Sequence, residues 1–469
     1  MSGTAVLLCS GTGLDTDAVD CAPAAVVHDL CGRPAAASAA LRRLAATRVV
    51  LGLCGRGASG DLVHALRRAG ASPFGVEAIV VGGRGQAEAA LLIAASVAKL
   101  DALAAGEGGK PVPATNRMSR RALLRIAPAV TREPVAVVDE HACVGSGRCG
   151  LCAEACPERA IGNGGPLPVV DAASCTACGA CVPRCPHGAL RLAGSSTAQI
   201  EAQLEALLPG VDGVVLACRS AVVEAPPGRA VVELPALGLV SPGWLLQLQS
   251  RGSEVRLAPC GEACCAGVRE VEALAARVLG AVGKPRRNGS ARVRLSEPRA
   301  TADAVRRLAP CDATFVFEDD ASPLGVVSIA SERCTLCGAC SAACPTSAMH
   351  VGDEIAATVL RHEPSACVAC GRCASACPED ALTVTRAIDV SRLVRGSLEL
   401  VRVAREACAG CGADLPPLPM RRRLRELLPV LAAAPPHLCA ACATRRPAYD
   451  PPAAPSEGRE LRWEKQEPS

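Results

Sequence analysis

The chain has 469 residues, of which 50% are hydrophobic and 1% aromatic, so it can form several small domains with cores of Ala, Val and Leu. Its net charge of +4 is too small to indicate a nucleic-acid-binding protein. The unusual feature is the 29 cysteines, which in a reducing compartment favour metal sites over a disulfide framework.

The apolar stretches of the chain are too short for a signal peptide or a membrane span. The first residues, MSGTAVLLCSGTGLD, lack the basic segment and the long apolar run of a signal peptide. The apolar stretch 89–98 is about half the length that a bilayer requires. SRRALLRIAPAV, at 119–130, resembles a twin-arginine export signal but lies far from the N-terminus and has too short an apolar region. We therefore expect a cytoplasmic protein without a membrane span.

Residues 1–105 alternate between predicted strands and helices, which is typical of a small α/β domain. AVLLC, RVVLGLC and EAIVVGG are predicted strands, whereas AASAALRRLAA, SGDLVHALRRAG and 89–98 are predicted helices. Cys9 and Cys54 lie at the ends of two strands, where open α/β sheets place their ligands, and Cys31 lies in a loop before a helix.

This first domain resembles the N-terminal domain of the heterodisulfide reductase A subunit. The resemblance rests on VLLCSGTGLD, HDLCGRP and VVLGLCGRGASGDLVHALRRAGASPFGVEAI. It implies that Cys9, Cys31 and Cys54 hold an iron–sulfur cluster, with Cys21 as a candidate fourth ligand; buried apolar cysteines are the alternative. The flavin domain that follows in that family, with its Gly-x-Gly-x-x-Gly turn, is missing, and a Gly- and Pro-rich linker, 106–134, follows instead.

Four cysteine runs carry the most specific motif of the chain. Three of them, CTACGACVPRCP, CTLCGACSAACP and CVACGRCASACP, share the pattern Cys-x2-Cys-x2-Cys-x3-Cys-Pro. The fourth, CVGSGRCGLCAEACP, is irregular, because Ser146 occupies the position of the first cysteine. This spacing places three thiolates around one iron–sulfur cube and directs the fourth cysteine to the other cube of a pair. Zinc, the alternative, prefers two separated knuckles.

The runs resemble the bacterial two-cluster ferredoxins, which implies four 4Fe–4S clusters in two modules, 135–192 and 326–386. Cys143 is predicted to replace the missing ligand, because Gly145 and Gly147 can fold the longer loop back. A three-iron cluster and Ser146 as an oxygen ligand are the alternatives. The predicted ligand sets are Cys143, Cys149 and Cys152 with Cys185; Cys175, Cys178 and Cys181 with Cys156; Cys334, Cys337 and Cys340 with Cys377; and Cys367, Cys370 and Cys373 with Cys344.

Residues 193–290 are predicted to form a second small α/β domain, with GVVLAC and AVVELPALG before a helix, PGWLLQLQSRG, and then EVRLAPCGEACCAG. This domain resembles the delta subunit of the methyl-viologen-reducing hydrogenases, which implies a 2Fe–2S cluster at Cys218, Cys260 and Cys265. Ala221 and Ala236 replace two family cysteines, so the alternatives are a cluster rebuilt with Cys264 and a docking domain without one. A connector, 291–325, precedes the second module.

Two Cys-x2-Cys knuckles characterise the C-terminal region, 387–450. Cys408 and Cys411 are separated from Cys439 and Cys442 by 27 residues, a spacing that predicts a zinc ribbon with a structural zinc ion. A rubredoxin-like iron site is the alternative. The tail, 451–469, is rich in Pro and charge and is predicted to be disordered.

The predicted fold is an α+β multidomain chain, in which two ferredoxin-like dicluster modules alternate with two small α/β domains and a zinc-ribbon-like segment follows. The predicted function is to relay single electrons between hydrogenase, dehydrogenase or reductase subunits in a hetero-oligomeric complex. No catalytic residue is visible. The alternatives are a disulfide or quinone reductase with a cluster near Cys54 or the Cys264–Cys265 pair, and a scaffold that delivers clusters to other proteins.

Overall fold

The computed structural model describes residues 3–55, 60–103, 135–223, 226–261, 265, 267–282, 293, 295, 299–310, 312–428 and 435–445. The predicted linker at 106–134, Cys264, much of the predicted connector and the predicted tail lie outside these residues. No helix within the described ranges has both the length and the apolar character that crossing a bilayer would require.

The chain divides into two compact units. The larger lies within Met1–Arg333, Gly338–His350 and Arg361–Leu400, and the smaller within Cys334–Cys337, Val351–Leu360 and Val401–Ser469. Three parts of the larger unit follow in chain order before the second ferredoxin-like module begins.

The first part is a parallel sheet with the strand order β2-β1-β3-β4. Leu7 and Leu51 face α1 and α2, whereas Leu8 and Val50 face α3, so both faces of the sheet are covered. Because β1 and β3 are parallel neighbours, their carboxyl ends bring Cys9 and Cys54 to one edge. The elements are β1 (Thr4–Cys9), β2 (Ala24–Val27), α1 (Pro34–Arg43), β3 (Arg48–Leu53), α2 (Gly60–Arg68), β4 (Val76–Val80) and α3 (Gln86–Asp101).

The second part is a small module of two antiparallel strand pairs that carries the irregular cysteine run and one regular run. β5 pairs with β8, placing Val137 opposite Arg191, and β6 pairs with β7. The strands therefore hold the beginning and the end of the module together around its cysteine loops. The elements are β5 (Ala136–Val138), α4 (Leu151–Glu154), β6 (Ile161–Gly162), β7 (Val169–Val170) and β8 (Leu190–Leu192).

The third part is a second parallel sheet, with the strand order β10-β9-β11, and Cys218 is the last residue of β9. Helix α3 of the first part packs along α5. The start of α5 is fixed by a capping box between Ser196 and Gln199. The elements are α5 (Thr197–Leu207), β9 (Gly213–Cys218), β10 (Arg229–Leu234), α6 (Pro242–Ser250), β11 (Glu254–Ala258), α7 (Val268–Val282) and α8 (Ala300–Leu308).

The remaining elements of the chain build the second cysteine-run module and the smaller unit. In the larger unit, β16 lies between β12 and β13 in an antiparallel sheet. In chain order the elements are β12 (Val316–Glu318), β13 (Gly325–Ile329), α9 (Ala339–Ala343), β14 (Met349–Asp353), β15 (Ala357–His362), α10 (Arg372–Ser375), β16 (Leu382–Asp389), α11 (Val390–Arg395) and β17 (Leu398–Ala404).

The smaller unit contains most of a sheet with the strand order β14-β15-β17. It also contains α12 (Leu418–Leu427) and the short helix Ala440–Arg445. Thr358 donates a hydrogen bond of 2.6 Å to Asp353, across from one strand to the next. The basic side chains of α12 include Arg421, which contacts Glu406 in an ion pair. The predicted mixture of helices and strands in several small parts is confirmed, and β2 is a strand that the sequence did not predict.

Candidate metal centres

The three regular cysteine runs share a backbone conformation that keeps the chain tightly wound around each loop. The residue before the second cysteine and the glycine after it both have left-handed φ angles. Glycine adopts this conformation freely, whereas other residues adopt it at a cost. The residues are Ala177 (56°) and Gly179 (78°), Leu336 (57°) and Gly338 (79°), and Ala369 (53°) and Gly371 (71°).

In three of the runs, the sulfur of the last cysteine accepts a hydrogen bond from the backbone N–H four residues later. The N–H groups of Ala160, Ala189 and Ala381 donate to the sulfurs of Cys156, Cys185 and Cys377 over 3.2, 3.2 and 3.4 Å. A left-handed residue precedes each donor and turns the chain back toward the sulfur. Such N–H···S bonds stabilise a thiolate and influence the reduction potential of a cluster that it binds.

The first ferredoxin-like module contains two pockets lined by cysteines. The pocket of about 390 Å³, which we call the first cluster pocket, is lined by Cys143, Cys149 and Cys152 from one run and by Cys185 from the other. The pocket of about 330 Å³, the second cluster pocket, is lined by the remaining cysteines of the module. These are Cys156, Cys175, Cys178 and Cys181. Each pocket thus combines three cysteines of one run with the last cysteine of the other.

The irregular run follows a path of its own into the first cluster pocket. Gly145 has a φ of 92°, and its carbonyl accepts a hydrogen bond of 3.0 Å from the Cys149 N–H. The Ser146 N–H donates to the Pro166 carbonyl over 2.9 Å. Cys143 and Ser146 both line the pocket, so the loop brings the sulfur and the hydroxyl to the same cavity.

Two polar atoms of the first cluster pocket fit an iron–sulfur group. Ser146 Oγ and His187 Nε2 are buried, and neither has a hydrogen-bond partner among the described residues. A buried polar atom without a partner is costly, and the sulfurs of a cluster can accept hydrogen bonds from such groups. The sequence interpretation missed His187. The available signal was that only this run has a histidine directly after its Cys-Pro pair.

Burial makes several of the run cysteines poor acids. Desolvation, followed by the charge of Cys149, raises the pKa of Cys152 to about 11. Desolvation, followed by the charges of Cys178 and Cys175, raises the pKa of Cys181 to about 12. Because a metal binds the thiolate, these residues release protons when they become ligands, and the positive charge of the metal compensates their burial.

The cysteines of the second module lie in both units. Burial raises the pKa of Cys367 to about 11 and that of Cys373 to about 12, as in the first module. In the larger unit, Cys340, Cys344, Cys367 and Cys373 are buried, and Cys370 and Cys377 are half-buried. In the smaller unit, Cys334 is half-buried and Cys337 is exposed.

The cluster loops of the larger unit adjoin other parts of it. Arg372 lies between Cys370 and Cys373, and its Nη2 is 3.1 Å from the position that a Cβ at Gly150 would occupy. Gly150 in turn lies between Cys149 and Cys152. Gly238, in the 3₁₀ turn Leu237–Leu239, approaches the Cys178 carbonyl so closely that a Cβ there would overlap it. Both the second module and the turn that follows β10 therefore contact the cysteine loops of the first module. We call the sheet β10-β9-β11 the central sheet.

Three thiols meet at the carboxyl edge of the first sheet. The sulfur of Cys9 is 3.6 Å from that of Cys54 and 4.0 Å from that of Cys31, and Cys31 and Cys54 are 3.9 Å apart. Burial opposes the ionisation of Cys9, but hydrogen bonds from N–H groups, led by Gly11, outweigh it and lower the pKa of Cys9. Cys21, the candidate fourth ligand, is exposed and is not part of this group.

A second group of three thiols lies at the edge of the central sheet. Cys218, Cys260 and Cys265 have all their sulfurs within 4.8 Å of one another, and those of Cys260 and Cys265 are 3.4 Å apart. Cys218 is buried at the end of β9, whereas the other two are half-buried. The group can therefore hold a metal, and the 2Fe–2S cluster implied by the resemblance stays a prediction.

The two C-terminal knuckles come together in the smaller unit. Cys408, Cys411, Cys439 and Cys442 have all four sulfurs within 4.8 Å of one another, and those of Cys411 and Cys439 are 3.7 Å apart. The N–H of Cys439 donates to the sulfur of Cys408, which lowers the pKa of Cys408 to about 6. Hydrogen bonds with Cys411 and Cys439 raise the pKa of Cys442 to about 12. Four thiols in this arrangement suit a tetrahedral ion.

Two family models match the chain. A 4Fe–4S dicluster domain matches residues 333–381, and a 4Fe–4S binding domain matches residues 168–191. No curated protein matches the chain. The matches and the cysteine motifs define cluster-binding domains of the ferredoxin type. The chain is therefore an iron–sulfur protein with several 4Fe–4S clusters. Both matches lie outside the two α/β parts, whose resemblance to reductase and hydrogenase subunits stays a prediction.

Proposed function

We propose that this chain relays single electrons along a row of four 4Fe–4S clusters between redox partner proteins. A bound 4Fe–4S cluster accepts and returns one electron at a time. The contribution of the chain is to supply thiolates, to exclude water and to direct N–H groups at the sulfurs. The observation that carries the proposal is that cysteine loops of both ferredoxin-like modules adjoin one another in the larger unit.

Within the first module, one short segment reaches both cluster pockets. Cys152, in α4, lines the first cluster pocket, and Cys156, just after the end of that helix, lines the second. Cys181 and Cys185 repeat this relation in the opposite direction. The same short segments thus serve both pockets, which supports crossed ligation and a short distance for an electron to travel.

Between the modules, the contact of Arg372 with Gly150 supports a path from the first cluster pocket to the loop of Cys370 and Cys373. On the other side, Gly238 supports a path from the second cluster pocket toward the central sheet. Cys218 shares a buried core with Leu237 and Leu239, which flank Gly238. The row thus has a candidate entry or exit point where Gly238 meets the second cluster pocket.

We propose that its partners are hydrogenase, dehydrogenase or reductase subunits in a hetero-oligomeric complex. Two observations support a relay over a self-sufficient enzyme. The cysteine loops contact neighbouring parts of the same chain, and the cysteine-lined pockets are apolar apart from a few side chains such as Asn163 and His187. The resemblance of the α/β parts to subunits of such complexes adds to this proposal.

The first test is the metal content of the full chain purified without oxygen. Four cubes require sixteen iron atoms and sixteen sulfide ions per chain, so we expect both values to approach sixteen. An iron content well below sixteen atoms per chain would contradict the prediction that sixteen cysteines bind four cubes.

The second test measures the magnetic interaction between neighbouring clusters. In the fully reduced protein, neighbouring clusters broaden one another's electron paramagnetic resonance signals. Replacing Cys175 with Ala removes a predicted ligand of the second cluster pocket and should sharpen the signal from the first. Unchanged signals would show that the clusters are isolated, which excludes a relay. Turnover of a disulfide by the wild-type chain alone, with a reduced viologen, would instead favour a reductase.

A further inference from the structure

The three thiols at the edge of the first sheet lie too close together for the corners of one iron–sulfur cube. In a cube each cysteine binds a different iron, so the body of the cluster keeps its thiolates apart. Among the described residues, no three cysteines of the four runs have their sulfurs within 4.8 Å of one another. In contrast, the sulfurs of Cys9, Cys31 and Cys54 lie 3.6 to 4.0 Å from one another.

These distances fit three thiolates bound to one ion. A tetrahedral zinc ion with Zn–S bonds of about 2.3 Å separates its sulfurs by about 3.8 Å. The three measured separations, 3.6, 3.9 and 4.0 Å, lie around this value. In the C-terminal group, Cys411 and Cys439 are 3.7 Å apart, so both groups have the dimensions of a mononuclear site. A 2Fe–2S cluster would instead divide its ligands into two separate pairs.

We propose that Cys9, Cys31 and Cys54 bind one zinc ion, and that a ligand from outside the chain completes its coordination. Thiolates are soft ligands, and zinc is the common divalent ion that accepts them in a tetrahedron. This site is independent of the proposed electron relay, because it uses none of the sixteen predicted cluster ligands.

The surroundings of the three thiols are built for a bound ion. Cys9 ends β1 and Cys54 follows β3, so two neighbouring parallel strands fix two of the sulfurs. A Cβ at Gly11 would lie 3.1 Å from Cys54 Cβ and 3.2 Å from its sulfur, so a side chain there would crowd the site.

The fourth position distinguishes this site from the C-terminal one. Across the described parts of the chain, no fourth Cys, His, Asp or Glu joins the three thiols, whereas the C-terminal group has four. Cys9 is 2% exposed, but Cys31 and Cys54 are half-buried, so solvent reaches the group from their side. Structural zinc sites are closed by four protein ligands, and sites with three keep a position for water or substrate.

A small thiol is the class of ligand that suits this position. When a thiol replaces the zinc-bound water, a Zn–S bond forms as the Zn–O bond breaks, and the thiol proton passes to solvent. The site would therefore present a thiolate at neutral pH without any oxidant or reductant.

Metal analysis of the full chain tests the site. We expect Cys31→Ala and Cys54→Ala each to contain one zinc ion per chain fewer than the wild type, with the iron content unchanged. Cys21→Ala is the matched control, because Cys21 is exposed and outside the group, and it should keep the zinc content of the wild type. If either triad variant loses about four irons and keeps its zinc, the group holds a cube; if neither metal changes, it holds none. Both results would overturn the proposal.

X-ray absorption at the zinc edge tests the open position without altering the three thiols. In the double variant Cys411→Ala/Cys439→Ala, which leaves the C-terminal group only two thiols, the zinc bound by Cys9, Cys31 and Cys54 should show three sulfurs and one lighter atom. Addition of 2-mercaptoethanol should change this to four sulfurs. Four sulfurs before the addition would mean that the chain itself closes the site, and three sulfurs after it would exclude a thiol ligand. No zinc in this variant would exclude the site altogether.

Discussion

Ser146 shows how far one residue can change a cysteine loop without removing its site. It stands where the other three runs have their first cysteine, yet it lines the first cluster pocket together with Cys143. The Gly145 turn and the bond from the Ser146 N–H to Pro166 bring the longer loop into the cavity. Ser146 Oγ is buried there without a partner, which suits a hydrogen-bond donor beside a cluster.

We predict that Cys143→Ser converts one cube of the first module to a three-iron form or destroys it. A thiolate binds iron strongly, whereas a serine hydroxyl must first lose a proton of much higher pKa. Ser146→Ala is the control and should retain all sixteen irons. Electron paramagnetic resonance of the oxidised protein separates the two, because a three-iron cluster gives a signal that an oxidised cube lacks. A three-iron signal in anaerobic wild-type protein would show that Cys143 is not a ligand.

His362 makes the stability of the larger unit sensitive to acid. The side chain is fully buried, neither ring nitrogen has a partner within the described residues, and burial, then Arg392, lowers its pKa to about 4. Between pH 6.5 and 4 the unfolded chain therefore binds a proton that the folded chain does not, so stability falls as the pH falls. The free energy of unfolding is therefore lower at pH 5 than at pH 7 by about 2 kcal/mol.

We predict that His362→Leu removes this part of the pH dependence. Denaturant unfolding, followed by circular dichroism at pH 7 and pH 5, should show a smaller difference for the variant than for the wild type. His350 is exposed, and His350→Leu should behave like the wild type. Equal pH dependence of wild type and His362→Leu would mean that another group causes the acid sensitivity.

The turn Leu237–Leu239 packs against the loop that carries Cys178 and so supports the second cluster pocket. We predict that Gly238→Ala destabilises the larger unit by about 1–3 kcal/mol, because its Cβ would overlap the Cys178 carbonyl. The same displacement should make the cluster bound by Cys175, Cys178 and Cys181 more labile to chelators. Bleaching of the cluster absorbance by a chelator measures this lability.

Gly280→Ala is the control for that experiment. Gly280 lies in α7 with open space around its missing Cβ, so alanine should raise helix stability by about 0.5–1 kcal/mol. Bleaching at the wild-type rate in both variants would show that the turn does not support the pocket.

The sequence predicted elements where one pattern dominates and failed where distant segments meet. The buried apolar run before Cys9 is a strand, and the apolar stretch 89–98 lies in α3. The strand β2, Ala24–Val27, is only four residues long and has no clear alternation, so its pairing with β1 defines it. The position of Gly238 on Cys178 joins residues 60 positions apart, and no local pattern encodes such a contact.

The cysteine sites also divide into those that a local pattern predicts and those that form where distant segments meet. The first three cysteines of a regular run lie within seven residues, so local sequence alone assigns them to one cluster, and the spacing to the fourth directs it to the other cluster of the pair. The group of Cys9, Cys31 and Cys54 depends on which strands are neighbours, so its membership was predicted only through a resemblance. Its sulfur separations, which decide between a cube and a single ion, are visible only in three dimensions.

In the smaller unit, the four C-terminal cysteines are a candidate zinc site that would join two distant segments of the chain. We predict that Cys439→Ser loses one zinc ion and increases hydrogen exchange in the described residues between 400 and 445, leaving the cluster spectra unchanged. A missing thiolate leaves an open zinc site whose affinity falls steeply. Cys21→Ser, at an exposed cysteine, should neither lose zinc nor increase hydrogen exchange in this region. Loss of a visible iron chromophore would instead indicate a rubredoxin-like site.

The left-handed residues of the cysteine loops have a consequence for the life of the chain in a cell. Arg159, Ala177, Leu336, Ser347, Ala369 and Asp380 hold positive φ angles without being glycine. At about 1 kcal/mol each, they cost about 6 kcal/mol together, which is comparable to the whole stability of a typical domain. We therefore expect the chain without bound clusters to unfold, and to be cut by proteases, more readily than the chain that holds them.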